Sequence, residues 1–298
     1  MMNSFMYRIK RVLGPKGIKD LEVSGKITPR IRRVKGTSTR RFNGVDLDEI
    51  DRKMEPVKGV IFRGFHVHDR VLIKVNYHSA NPYPASTDLD MLEWLVNQLK
   101  KRGIHRIILG DCTSNGELPT RKLMKEAGVY SRFGDQVEYA CFNELEWVRI
   151  NGKFSFLSDL VVPRLVDQVD KIIYLANLKT HRHADFSLSM NLAVGFMHPL
   201  QRIELHQENL HEKIVEIAAA VQPDLIFLDG RKVFIEGGPN EGRVECGDCV
   251  IVGSDLLKTD LVGYEVLLEM KKTHQCMANF TEDPFEMKQF RCAKEVFR

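Results

Sequence analysis

Lys171-Ile172-Ile173-Tyr174-Leu175-Ala176-Asn177-Leu178 runs without a polar break until Asn177 and then opens into Lys179-Thr180-His181-Arg182-His183. An apolar run of this length with no alternation reads as a strand buried on both faces, the kind found inside α/β sheets. Such sheets hold their ligands in the crevice at the carboxyl ends of the strands. One lysine and two histidines therefore stand where an anion, a metal or a reacting carbonyl is expected. A second polar set follows at Ser187, Ser189, Asn191 and His198.

The same alternation of apolar run and amphipathic stretch extends in both directions. Val71–Tyr77 is predicted as a strand, and Asn81-Pro82-Tyr83-Pro84 breaks the chain. Ser86 or Thr87 is placed to cap a helix over Asp88–Arg102, whose Leu89, Leu92, Leu95, Val96 and Leu99 share one face and which Gly103 ends. Arg106–Asp111 and Val137–Phe142 are further strands, with a helix over Thr120–Ala127 between them. Glu144–Phe156 suggests a hairpin around Asn151-Gly152. Leu165–Asp170 is a short helix or turn, Leu210–Val221 and Leu257–Met270 are helices, and Asp224–Gly230 and Cys249–Gly253 are strands. The expected fold is α/β: a mainly parallel sheet with helices on both faces, its crossovers right-handed.

Charge is distributed unevenly. Residues 1–41 hold 12 Lys/Arg and only Asp20 and Glu22, so their +10 leaves the rest of a chain of net charge +4 at −6. Residues 1–58 read as an irregular basic arm, with short strands at Leu21–Val23 and Val57–Arg63, and residues 59–298 as the α/β domain. Nucleic-acid binding is not expected, because few aromatics, Tyr7 and Phe42 among them, offer stacking near the arm and no known module is present. The plainer reading of the arm is a solvated extension that packs on the body, and docking on an acidic protein partner is the alternative. No apolar stretch is long enough for a membrane span, and the start lacks the order of a secretory signal. Six cysteines in 298 residues are not a disulfide scaffold, so a reducing cytoplasm is expected. Assembly as a homo-oligomer is left open.

Polar groups recur at strand ends: Lys74 and Asn76, Asp111, Lys179 and His181, Asp229, and Asp255. The candidate catalytic set is Lys74, Asn76, Lys179, His181, Asn191 and Asp229, placed to bind an anionic, carboxylate-type small molecule. Lys179 would hold the charge or polarise a carbonyl, and His181 would act as acid, base or ligand. Asp111, Asp229 and Asp255 also suit caps of the turns that follow them. Gly238, in Gly237-Gly238-Pro239-Asn240-Glu241-Gly242, would let the backbone approach a ligand, or form a plain turn. Ser114, in Ser114-Asn115-Gly116, would bind an anion through free amides, and Asp255 would contact a cofactor. A dinucleotide fingerprint and a nucleophile elbow are both missing.

Two metal readings stand beside this one. His181 and His183 lie two residues apart and so share a strand face, with His198 further on. Cys246-Gly247-Asp248-Cys249 has the spacing of one edge of a zinc or iron–sulfur site, although Cys249 also begins an apolar strand. A divalent metal or an iron–sulfur cluster would follow.

The ordered set Val71–Asn76, Gly110-Asp111, Leu178-Lys179-Thr180-His181, Ser187–Gly195, Asp229-Gly230, Gly237–Gly242 and Gly253-Ser254-Asp255 leading to Asp260 resembles the family called domain of unknown function 362, over roughly residues 60–270. The resemblance implies an α/β domain and no particular reaction. Members of that family are often fused to ferredoxin-like iron–sulfur modules, whose run of four close cysteines this chain lacks. Through the Lys179 to His198 spacing alone, the chain also has a likeness to the nickel-dependent lactate racemase, where a lysine carries the cofactor and histidines hold the metal. The functional expectation is an enzyme using acid–base or metal-assisted redox or isomerase chemistry. The alternative is a non-catalytic metal or cluster carrier, or a docking protein.

Overall fold

The computed structural model describes residues 21, 23–31, 38–113 and 119–297. Twelve strands occur among them: β1 (Lys26–Ile27), β2 (Arg40–Asn43), β3 (Arg70–Lys74), β4 (Arg106–Asp111), β5 (Glu138–Cys141), β6 (Trp147–Ile150), β7 (Val161–Pro163), β8 (Lys171–His181), β9 (Asp185–Ser187), β10 (Leu225–Gly237), β11 (Gly242–Cys246) and β12 (Cys249–Gly253). The main sheet has the order β2-β12-β10-β8-β3-β4-β5, with β9 added to β8 and β11 to β10. From β10 to β5 every neighbour is parallel, whereas β12, β2, β9 and β11 pair antiparallel. The fold is α/β, its sheet parallel at the centre and antiparallel at one end.

Strand polarity of burial explains why the central strands read as unbroken apolar runs. Leu72, Ile108, Ile172, Tyr174, Ile226 and Leu228 face one core, which the helices Leu210–Ala220, Leu256–Thr273 and Lys288–Val296 cover. Their neighbours Val71, Ile73, Ile107, Ile173, Leu225 and Phe227 face the opposite core, covered by Leu47–Met54, Leu89–Lys100 and Val129–Phe133. A strand with helices on both sides has no solvent face, so period-two alternation disappears.

Chain order along the sheet reverses between β3 and β8. From β3 the chain builds outward through β4 to β5, and from β8 it builds the other way through β10. The loops leaving β3 and β8 therefore diverge and open a crevice above their carboxyl ends.

Several local expectations are corrected. Residues Lys58–Ile61 are helical rather than extended, because Ile50, Met54 and Ile61 are buried at helical spacing. Leu21 and Val23 are irregular, and the nearby strand is β1. No tight hairpin forms at Asn151-Gly152; β6 pairs antiparallel with β7 and parallel with β1 in a small separate sheet. Asp88, not Ser86 or Thr87, caps Leu89–Lys100, accepting the Met91 amide at 2.9 Å. The strand expected to stop at Gly230 continues to Gly237, since Val233, Phe234 and Ile235 resume core packing after Arg231 and Lys232. Of the basic arm, residues 38–58 are integrated into the body through β2 and the helix Leu47–Met54, while residues 1–20 lie outside the described residues. Among the described residues, no helix is long and apolar enough to cross a membrane.

Candidate active site

A cavity of about 1020 Å³ occupies the crevice between β3 and β8. Lys74, Asn76, Lys179, His181, Asn191 and Gly238 all border it, and so does His183. The charged side chains on its wall are Lys74, Lys179, Arg182 and Arg202 against Asp111 and Glu241, an excess of two positive charges.

Lys179 is only 1 % exposed. Its Nζ donates to the Ala85 carbonyl at 2.5 Å and to the Pro239 carbonyl at 3.1 Å. No carboxylate among the described residues forms an ion pair with it. An ammonium desolvated this far and given no counter-ion loses its proton readily, and burial brings Lys179 down to about 7. Two carbonyls satisfy two N–H groups of the amine. The third tetrahedral position holds a proton at low pH and a lone pair at high pH.

Lys74 contrasts with it in the same wall. Its Nζ lies 2.6 Å from Asp111 Oδ1 and donates also to the Val75 carbonyl at 2.7 Å. Asp111 Oδ1 accepts the Cys112 amide at 2.7 Å, and Oδ2 accepts the Tyr77 amide at 2.5 Å. The carboxylate thus joins the ends of β3 and β4 and fixes the lysine. Burial lowers the Lys74 ammonium, and Asp111 opposes that shift. Gly195 leaves the space this amine needs: a Cβ there would stand 2.4 Å from Nζ. Arg202 spans the adjoining backbone, donating to Met197, Cys112 and Gly195 carbonyls at 2.7–2.8 Å.

His181 and His78 are held neutral. His181 Nδ1 accepts the amides of His183 and Ala184, both at 3.1 Å, so a neutral ring carries its proton on Nε2. Burial first, then the Lys179 charge, lower it to about 3. His78, which sequence reasoning passed over, lies between Asn76 Oδ1 at 2.9 Å and Asn240 Oδ1 at 2.5 Å. Burial lowers it to about 4. It ties β3 to the glycine loop; its place two residues after Asn76 was the available signal. Asn177 was also missed. It lies beside Asn76, whose Nδ2 is 3.4 Å from the Asn177 Oδ1, and donates to the Ser86 carbonyl at 3.1 Å.

Gly238 brings backbone against backbone. It has φ +74°, and a Cβ would meet the Thr180 carbonyl at 2.0 Å, so only glycine places Pro239 over Lys179. Asn191 is oriented through Oδ1, which accepts from the Leu188 amide at 3.4 Å and from Gln289 Nε2 at 3.1 Å. Its short helix, Ser189–Leu192, rests on the fully buried Asp260, which accepts the Ser189 and Met190 amides at 2.8 and 3.0 Å and the Ser189 hydroxyl. Burial pushes that carboxyl up to about 7.

Other expected site residues are elsewhere. Asp229 is clamped by Arg231 at 2.7 Å and by the Tyr83 hydroxyl at 2.7 Å, and it does not border the cavity. Asp255 caps Leu256–Thr273 by accepting the Lys258 amide at 2.9 Å. Asp255→Ala is accordingly expected to cost about 1 kcal/mol of stability in urea unfolding, with ligand binding unchanged; a loss of binding would return Asp255 to the site. His198 packs edge-on against Trp147 at 4.5 Å, beside the small sheet. Cys249 is buried in the core, and Cys246 is exposed on β11. Neither cysteine borders the cavity. Of the expected ligands, His181 and His183 lie together at the cavity with ring centroids 6.1 Å apart, whereas His198, Cys246 and Cys249 do not join them, and no three His, Cys, Asp or Glu side chains among the described residues are grouped to hold a metal ion. Ser114 lies outside the described residues.

The profile of a family described as domain of unknown function (DUF362) matches residues 71–265, which include β3, β8 and the cavity residues named above. No curated protein matches the chain. Among solved structures, the chain is similar to a Thermotoga maritima protein determined as a structural-genomics target, with 13 % identity and a TM-score of 0.44 over 75 % of this chain. The match spans 59 % of that protein.

Proposed function

Because this chain belongs to the domain of unknown function 362 family, a membership that names no reaction, we propose from its own residues that it is an enzyme acting on an anionic, carboxylate-type small molecule by acid–base chemistry in the cavity between β3 and β8. The observation that carries this is Lys179: fully buried, bordering the cavity, without a carboxylate partner among the described residues, and poised near neutrality. Structural lysines are paired or solvated, whereas amines whose proton is this loosely held cluster at sites of chemistry.

With Lys179 neutral, Lys74, Arg182 and Arg202 still outnumber Asp111 and Glu241 on the wall by one charge, which attracts the carboxylate. Neutral Lys179 takes a proton from the carbon beside the carbonyl. Charge then develops on the carbonyl oxygen, where a neutral imidazole with its N–H on Nε2 donates a hydrogen bond; His181 is held in that tautomer. The fixed Lys74 ammonium adds positive potential without exchanging its own proton with Asp111. The metal-assisted branch has less support, since His198, Cys246 and Cys249 do not border the cavity. The six thiols are all free, which supports a reducing compartment such as the cytoplasm.

Incubation of the protein in D₂O with a panel of carboxylic and 2-oxo acids tests this reading. Deuterium entering the position beside the carbonyl, seen by proton NMR and lost in Lys179→Met, is the expected result. Wild-type protein that exchanges no acid in the panel, or a Lys179→Met variant that exchanges as fast, would overturn it.

A further inference from the structure

The two walls of the cavity differ in chemistry. One is built from strand ends and the glycine loop and carries Lys179, Asn76 and His181. The other is built by the helices Ser189–Leu192, Arg202–Leu205 and Leu210–Ala220, which present Leu192, Leu205 and Ile214 among the polar Asn191, Arg202 and His206. These three are at most 7 % exposed, belong to the hydrophobic core and still border the cavity, so core side chains line that end. Its volume is at the upper end of the roughly 300–1,000 Å³ usual for small-molecule sites. A two- or three-carbon acid held at Lys179 leaves the apolar end empty, and an empty apolar space forfeits contacts on every atom that lines it.

We propose that the ligand is an amphipathic carboxylate: an anionic head at Lys179 and an apolar acyl or aryl tail lying against Leu192, Leu205 and Ile214. The inference rests on the preceding reading that Lys179 faces the anion, and adds to it the nature of the rest of the molecule. The positive excess of the wall sets the sign of the head, and the helices set the character of the tail. Each added methylene should therefore tighten binding until the tail reaches the end of the cavity.

Calorimetric titration of the full chain with butyrate, hexanoate and octanoate tests this, with hexanol, hexylamine and succinate as controls. The expected result is a Kd that falls about fourfold per methylene. Lys179→Met should weaken all three acids by a common factor and leave that slope intact. Leu192→Asn should flatten the slope and spare butyrate; because the slope is read first on the unsubstituted protein, the outcome does not hang on that variant's folding. A flat series, or succinate binding more tightly than octanoate, would overturn the amphipathic ligand while leaving acid–base chemistry at Lys179 standing. A full slope shared by hexanol and hexylamine, indifferent to Lys179→Met, would overturn the anionic head and with it the reading it rests on. No binding by any of the acids would overturn the proposal outright.

Discussion

Lys179→Met is expected to lower turnover by orders of magnitude and, at neutral pH, to make the protein more stable. The sign follows from the proton. Unfolded Lys179 titrates at its ordinary value of 10.5, and folded Lys179 at about 7. Between those values the unfolded chain holds a proton that the folded chain has released, so wild-type stability rises with pH across that window. Below pH 7 both states are protonated, and the folded state carries the full cost of an ammonium that burial has stripped of water. That cost is on the order of 4–5 kcal/mol as an upper bound, at 1.36 kcal/mol per pKa unit. Methionine removes it and fills much of the same volume, but leaves the Ala85 and Pro239 carbonyls without this donor, at about 0.5–1.5 kcal/mol for each hydrogen bond lost. The net gain near pH 6.5 should be about 1–3 kcal/mol. It should shrink by about 3 kcal/mol as pH rises from 7 to 9.5, because the wild type gains and methionine does not. Urea unfolding at several pH values reads both effects, and loss of acid–base catalysis should lower turnover about 10²–10⁴-fold. A variant whose stability tracks the wild type from pH 6 to 9.5 would show Lys179 to be an ordinary hydrated ammonium. A variant gaining stability while losing turnover is the pattern of a group kept for function at the expense of the fold.

Much of this site is readable from strand ends. Lys74, Asn76, Lys179 and His181 are legible because a central strand has a forced register: its apolar run must be buried, so the first polar residues after it emerge at the crevice. Gly238 is legible as a close backbone approach, though not which backbone it approaches. Asp229 misleads for a physical reason. Gly230-Arg231-Lys232 looks like the end of β10, yet the strand passes through it, and the arginine neutralises the aspartate two residues away. His198 and the Cys246/Cys249 pair misleads differently, since sequence spacing carries no information about the small sheet that takes His198 to Trp147. The partners of Lys179 were invisible because both are backbone carbonyls, and a carbonyl has no residue identity to read. The apolar wall was invisible because Leu192, Leu205 and Ile214 are indistinguishable in sequence from core residues.

Asp111→Ala should be the most damaging single change near the cavity, costing about 3–5 kcal/mol at pH 7, because it strands Lys74 as an unpaired buried charge. Two further bonds go with it, from the Cys112 and Tyr77 amides that the carboxylate accepts. With Asp111 absent, nothing named above offsets the burial that already lowers the Lys74 ammonium, and the amine sheds its proton in the folded state. The pH dependence then has a definite sign. Unfolded Lys74 stays protonated up to about 10.5, so the variant recovers stability as pH rises toward that value, whereas the wild-type pair holds its proton and recovers less. Adding Lys74→Met should restore much of the loss at pH 7, since a neutral side chain of similar length needs no counter-ion. A double-mutant cycle by urea unfolding measures the coupling directly. If Asp111→Ala costs under about 1 kcal/mol and shows no pH dependence, Lys74 is solvated and the floor of the cavity is wet. If the cost is large and Lys74→Met fails to rescue it, the two amide bonds dominate and Asp111 serves chiefly to tie β3 to β4. Rescue with a slope in pH would establish the distinction on which the site depends: two buried lysines in one wall, one neutralised by Asp111 and fixed, the other left without a carboxylate and free to move a proton.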